Sequence, residues 1–256
     1  MLYVMTIGNS ELTFGLFESG DLRAHWRLPT DHNADPGTYR RILTGAFQEH
    51  AEDIARSERA LISSVVPPLN EPVASAVGEL LGVEPEFLRV DWDTGLSFSV
   101  ADPRELGSDL IANCAGALKK FGRSCIVIDF GTTTTFTAMA RSGNLLGVAI
   151  TPGILTSMDA MVGSTASLPF VRLAVPEQAI GRSTEEALQA GLTYGYASMA
   201  DGMVKRFSDE MMEPAPMVVA TGTFAHLVAA ESEAINAVEP LLTLEGLLAI
   251  AERNPR

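Results

Sequence analysis

Apolar positions at the start of the chain fall into short runs cut by glycine turns. Leu2, Tyr3, Val4 and Met5 make a continuous apolar run of strand length. Gly8-Asn9-Ser10 interrupts it, a β-branched and aromatic run resumes through "FGLF", and Ser19-Gly20-Asp21-Leu22 turns the chain into a third strand. The same order returns in "SCIVIDFGTTTTFTAMARSGNLLGVAITPG". There residues 125–128 form the strand, Gly131-Thr132-Thr133 the glycine turn and Ser142-Gly143-Asn144-Leu145 the second turn. One offset of 123 sets Gly8 on Gly131 and Gly20 on Gly143 without a gap. Two β-β-β units, each followed by helical sequence, predict an α/β protein of two similar lobes with a cleft between them. The offset also sets Thr6 against Asp129, so the acid expected at position 6 is missing.

Helical periodicity fills the remainder. Tyr39, Ile42, Leu43, Phe47, Ala51 and Ile54 recur at amphipathic spacing, predicting one helix over residues 38–55. "ISSVVPPLN" reads as a buried strand stopped by Pro67-Pro68, with a helix after it. On a helix over residues 103–120, Leu110, Ile111, Cys114, Leu118 and Phe121 form one stripe. Glu105, Asp109, Asn113, Gly116 and Lys120 form the opposite, polar one. Ser183 with Glu186 makes a capping box for a long helix reaching about residue 207. Along it Ala187, Gly191, Gly195, Ser198 and Gly202 make a small-residue face suited to close packing within the fold or across a dimer. "PMVVATGTFAHLV" predicts strand, glycine turn and helix, and "TLEGLLAIAER" a closing helix.

Composition narrows the function. The 256 residues, 46% hydrophobic and 20% charged, suit a full core in one large domain or two, with residues 1–110 and 111–256 as the expected division. A formal net charge of -14 argues against a general nucleic-acid binder, which needs basic surface. It leaves a nucleotide site open, because backbone amides and a metal can hold one small anion. Cys114 and Cys125 have no metal or redox spacing and read as reduced core thiols. The scattered histidines give no support to a metal cluster or a Ser-His-Asp triad. No signal peptide and no membrane-length apolar run is present, so a soluble, cytoplasmic protein is expected.

The candidate chemistry sits at strand ends and one helix. Asp129 precedes the Gly131 turn, where a carboxylate can hold Mg²⁺ or its waters while glycine backbone and hydroxyls wrap phosphate oxygens. Asp109 is the second candidate, as a general base accepting a hydroxyl proton while the oxygen attacks phosphorus. Its rival reading is a solvated polar helix face. Thr221-Gly222-Thr223 follows an apolar strand and could let backbone approach an adenine ring, a signal no stronger than an ordinary turn.

Together these segments resemble the type III pantothenate kinases of the actin-like ATPase and sugar kinase superfamily. The resemblance runs nearly the whole chain in order: "TIGNS" for the first phosphate motif D-x-G-N-[TS], "SSVVPPL", "TGLSFSVADPRELGSDLIAN", "DFGT", "ITPG", "TASLP", "IGRSTEEALQAG", "ATG" and "LTLEGL". It implies two RNase H-like lobes with a nucleotide cleft between them, and ATP-dependent phosphorylation of pantothenate to 4'-phosphopantothenate, the first step of coenzyme A synthesis. It further implies a homodimer using Mg²⁺ and a monovalent cation such as K⁺ or NH4⁺; charge and hydropathy lead us to expect no nucleic-acid or membrane partner. Residue by residue, Asp109 matches the catalytic base and Asp129 the metal-organising acid. Thr6, Gly8, Asn9, Ser10, Gly131, Thr132, Thr133, Thr221 and Gly222 match phosphate and nucleotide positions. Gly107, Val100, Leu110 and Thr184 match substrate positions.

The departures cluster at these same positions. Thr6 replaces the first-motif Asp, Leu110 an Arg that would meet the anionic substrate, and Val100 a common Tyr. Thr137, Val148 and Thr223 interrupt other motif residues. Losing a positioned carboxylate or an anion clamp removes several kcal/mol of transition-state stabilisation, at about 1.4 kcal/mol per tenfold in rate. Two rivals to the kinase therefore stand: a catalytically impaired paralogue with a regulatory or binding role, and a kinase for a different, less anionic hydroxyl substrate.

Overall fold

The computed structural model describes residues 1–255. The chain divides into two compact units, each with its own sheet and core.

The first unit gathers residues 1–96, 101–119 and the chain from Leu242 onward. Strands β1 (Leu2–Ile7), β2 (Glu11–Glu18) and β3 (Asp21–Pro29) form a meander. Helices α1 (Pro36–Ala46) and α2 (Ala51–Ala55) lead to β4 (Arg59–Ser64), which pairs parallel with β1; α3 (Asn70–Leu81) leads to β5 (Glu86–Phe87) on the outer side of β4. The sheet order is β3-β2-β1-β4-β5. Asp35 caps α1 by accepting the Thr38 N–H at 2.7 Å, with Pro36 in the first turn, where its missing N–H costs nothing. The helix expected over residues 38–55 breaks at Phe47, whose backbone leaves helical geometry while its ring packs edge-on to Phe14 at 5.4 Å and to Tyr3 at 6.0 Å. Tertiary packing of that aromatic overrides local periodicity. Gly82 ends α3 in the left-handed conformation that glycine adopts without a Cβ penalty.

Two further helices complete this unit. Helix α4 (Ser108–Phe121) begins later than the sequence suggests, because residues 103–105 form a separate short turn and Leu106 is extended. The middle of its expected polar stripe is not solvated, although Lys120 at its end is exposed. Asn113 and Gly116 are buried, and the Thr243 hydroxyl donates to Asn113 Oδ1 at 2.6 Å. They face α8 (Leu242–Arg253), where a Cβ on Gly246 would collide with the Ala112 carbonyl and one on Gly116 would approach the Leu242 carbonyl within 2.6 Å. Helix α8 returns the C-terminal segment to the first unit, so the division differs from the expected break at residues 110 and 111.

The second unit holds residues 97–100 and 120–241. Here β6 (Ser97–Phe98) edges a sheet built from β7 (Cys125–Phe130), β8 (Thr133–Met139), β9 (Asn144–Pro152), β10 (Met217–Thr221) and β11 (Ala237–Val238). Its order is β11-β10-β7-β8-β9-β6. Helices α5 (Ile154–Ser164), α6 (Thr184–Met211) and α7 (Ala225–Ala229) connect these strands, and Leu192, Tyr196, Ala200 and Val204 of α6 join the core with Ile126, Ile128 and Phe136. Ser183 caps α6 by accepting the Glu186 N–H at 3.2 Å, while Glu186 accepts the Arg182 N–H at 2.7 Å.

Setting β7, β8, β9, β10 and β11 against β1, β2, β3, β4 and β5 gives the same order and the same antiparallel and parallel pairings. The duplication is therefore topological, not a chance likeness of two hairpins. The alignment has a local slip: Thr6 pairs with Thr13, but Asp129 pairs with Thr135, so the first hairpin of the second copy is one residue shorter. Both copies carry a bulge farther along, at Leu16/Phe17 and Ala138/Met139, and the next turn restores the register. No helix among the described residues is long and apolar enough to cross a membrane.

Candidate active site

In each unit most of the candidate residues collect at the carboxyl ends of the central parallel strands, the edge where open α/β sheets bind ligands. In the first unit Thr6 and Ile7 of β1 lie beside Ser63 and Ser64 of β4, and the Val65 N–H extends that ladder to the Ile7 carbonyl at 3.1 Å. The Gly8 N–H donates to the Glu11 carbonyl at 3.0 Å, closing a turn whose tip, Asn9 and Ser10, is exposed. A Cβ on Gly8 would come within 2.9 Å of that carbonyl oxygen, so only glycine fits without a shift. The Thr30 hydroxyl donates to the Gly8 carbonyl at 2.7 Å and anchors the turn to β3. Thr6 itself turns its hydroxyl to the Thr13 carbonyl at 3.3 Å.

Asp109 belongs to the same edge. The Ser63 and Ser108 hydroxyls lie 2.7 Å apart and Ser108 donates to the Ser64 carbonyl at 3.1 Å, pinning the head of α4 to the end of β4. The half-buried Asp109 carboxylate accepts the Leu110 N–H at 2.8 Å. Gly107 leaves room for it, since a Cβ there would collide with Asp109 Oδ1. Burial holds the Asp109 carboxyl above its ordinary value, outweighing the backbone N–H groups that favour its charged form. Leu110 is buried and brings no cation to this edge. The serines Ser63, Ser64 and Ser108 escaped the sequence reading, although two adjacent hydroxyls ending an apolar strand are a usable signal.

In the second unit Asp129 of β7 pairs with Thr135 of β8 on one side and Thr221 of β10 on the other. Thr6 holds the equivalent place in the first unit, between Thr13 and Ser63. Gly222 takes φ +89°, and a Cβ on it would lie 2.5 Å from Asp129 Oδ1 and 2.7 Å from the Phe130 backbone. The Gly131 N–H donates to the Thr133 carbonyl at 3.1 Å. The Thr132 carbonyl accepts from the Gly153 N–H at 3.0 Å and the Thr156 hydroxyl at 2.6 Å, tying the turn to the head of α5. The side chains of Thr132 and Thr133 stay exposed. Of the remaining candidates in this unit, Val100 is half-buried and Thr184 is the exposed first residue of α6.

Among the described residues no group of three or more His, Cys, Asp or Glu is placed to hold a metal ion. Mg²⁺ is commonly bound through one or two carboxylates together with substrate phosphates and waters. Asp129, set between a glycine turn and a glycine that only a Cβ-less residue can occupy, fits that mode. Neither buried cysteine is in a disulfide, and burial pushes the Cys125 thiol up to about 11, away from a reactive thiolate.

Solved structures share the architecture at low identity. One described as a conserved Baf family transcriptional activator from Campylobacter jejuni is 19% identical, with a TM-score of 0.59 over 99% of this chain and 98% of that one. A 2-dehydro-3-deoxygalactonokinase protein from Sinorhizobium meliloti is 12% identical, with a TM-score of 0.56 over 98% of both chains. These likenesses show a shared fold and nothing finer. The sequence then narrows the class. The profile of the type III pantothenate kinases matches residues 2–206. The type III pantothenate kinase of Anaeromyxobacter dehalogenans (strain 2CP-C) is 39% identical over 254 residues, 99% of this chain and 100% of that protein. The chain belongs to the type III pantothenate kinase family.

Proposed function

We propose that this protein transfers the γ-phosphoryl group of ATP to the hydroxyl of pantothenate, giving 4'-phosphopantothenate and ADP. The observation that carries the reading is Asp109: a half-buried carboxyl with a raised pKa, seated at the carboxyl ends of parallel strands. Such a group takes up a proton more readily than an ordinary aspartate. The hydroxyl oxygen attacks phosphorus, its proton passes to Asp109, and the bond from phosphorus to the ADP oxygen breaks with its electrons leaving on ADP. Gly8 and Gly131 spend their N–H groups on their own turns, so in this reading phosphate contact falls to Asn9, Ser10, Thr132 and Thr133. By the family match, Thr221 and Gly222 are assigned to the nucleotide, and Gly107, Val100, Leu110 and Thr184 to the acceptor. Asp129 would hold Mg²⁺, which when bound neutralises charge on the phosphates. A monovalent cation, K⁺ or NH4⁺, and a cytoplasmic setting complete the family reading.

A homodimer belongs to this proposal. Ala187, Gly191, Gly195, Ser198 and Gly202 are exposed along α6, and a Cβ on Gly191, Gly195 or Gly202 would meet nothing within 4 Å. That face admits a helix from a second copy at close range.

A second reading rests on Thr6 and Leu110, which leave one strand end without an acid and the acceptor side without a cation. It makes the chain an impaired paralogue or a kinase for a less anionic alcohol. Steady-state ADP release with pantothenate and with its neutral alcohol analogue separates them. Faster turnover of pantothenate supports the proposal; turnover of the analogue alone supports the other substrate. ATP binding without turnover of either supports the paralogue.

A further inference from the structure

At the opposite end of the second unit's sheet, where β7 and β10 begin, a cavity of about 410 Å³ opens beside α6. That volume lies within the ~300–1,000 Å³ range of small-molecule sites. Val204, Pro216, Met217 and Ala234 supply apolar wall, and Arg123, Ser208 and Asn236 are its side chains with polar heads. No acidic side chain lines it, although the chain carries a net charge of -14.

The polar heads offer hydrogens. Asn236 Oδ1 accepts the Val218 N–H at 2.8 Å, which fixes the amide and leaves both Nδ2 hydrogens without a partner among the described residues. Arg123 donates one N–H to the Ala215 carbonyl at 2.6 Å and keeps its other guanidinium donors. The Ser208 hydroxyl has no partner among the described residues. A cation, an amide NH2 and a hydroxyl over an apolar floor match an anionic head on an apolar body.

We propose that this cavity binds a small organic carboxylate with a short aliphatic tail, the carboxylate against Arg123, Ser208 and Asn236 and the tail along Val204, Met217 and Ala234. Met217 pairs with Cys125, and Thr221 pairs with Asp129. At ~3.3 Å rise per residue, the site lies about 13 Å along the strand from Asp129, so its ligand does not compete for the phosphate turn.

Methyl NMR of the full chain with labelled methionine tests this, using hexanoate as the probe and hexan-1-ol as its neutral counterpart. The expected result is a saturable shift of the Met217 methyl with hexanoate and a much weaker response to hexan-1-ol. Arg123→Gln should weaken hexanoate roughly tenfold or more, the worth of a charged hydrogen-bond partner. Ser208→Ala should weaken it less, and Arg206→Gln, an exposed residue outside the cavity, should change nothing. The proposal is overturned if Met217 does not move, if its shift never saturates, if hexan-1-ol binds equally, or if Arg123→Gln leaves the affinity unchanged.

Discussion

In the proposed reaction Asp109 couples stability to chemistry through one proton. Below the ordinary carboxyl value, about 3.9, the folded and unfolded chains are both protonated and the folded state has its full stability. As pH rises through the raised folded value, the half-buried group must ionise and stability falls. Asp109→Asn should therefore raise the melting temperature at neutral pH, by roughly 2–4 °C per kcal/mol recovered, and leave it unchanged near pH 3. Thermal melts at the two pH values check this. The same proton shapes the rate: kcat/KM should climb with pH over a range above that of an ordinary aspartate, which a pH–rate profile reads. Thr6 and Leu110 act differently, since each lacks a charge its neighbours could use. Thr6→Asp with Leu110→Arg should raise turnover at least about tenfold, at ~1.4 kcal/mol per tenfold, with the Arg lowering KM for pantothenate. Kinetics of the double and single variants test the division.

The elements show where the sequence was readable and where it was not. The duplicated β-β-β units could be seen in advance because alternation and glycine turns are local, and Thr6 was correctly set against Asp129. The one-residue slip in the second hairpin could not, since a compensating change in the next turn restores the offset. The polar stripe on α4 misled for a different reason. Asn113 and Gly116 face another helix more than a hundred residues away in sequence, and periodicity cannot say which neighbour covers a face. Likewise Asp109 was legible as a motif residue, but the serines that seat it depend on a strand and a helix meeting. Gly246→Val should force α8 from α4 and cost about 1–3 kcal/mol or more in urea unfolding, while Gly122→Ala, where a Cβ meets nothing within 4 Å, should cost only its backbone strain at φ +60°.

For the whole molecule, each unit pairs a sheet of one topology with a strand-end cluster, and the clusters differ in what they retain. One has Asp109 without a strand-end acid; the other has Asp129 within a glycine cradle. The exposed small-residue face of α6 sets the expected assembly: light scattering should give a dimer, and Gly195→Arg should yield monomer without lowering the melting temperature of the chain. The most direct measurement of the central claim is pantothenate-dependent ADP release by the intact protein with ATP and Mg²⁺, alongside Asp109→Asn. Release should depend on pantothenate and fall by roughly 10²–10⁴-fold in the variant, the usual worth of a general base. Release that ignores pantothenate, or an Asp109→Asn protein as active as the native one, would contradict it.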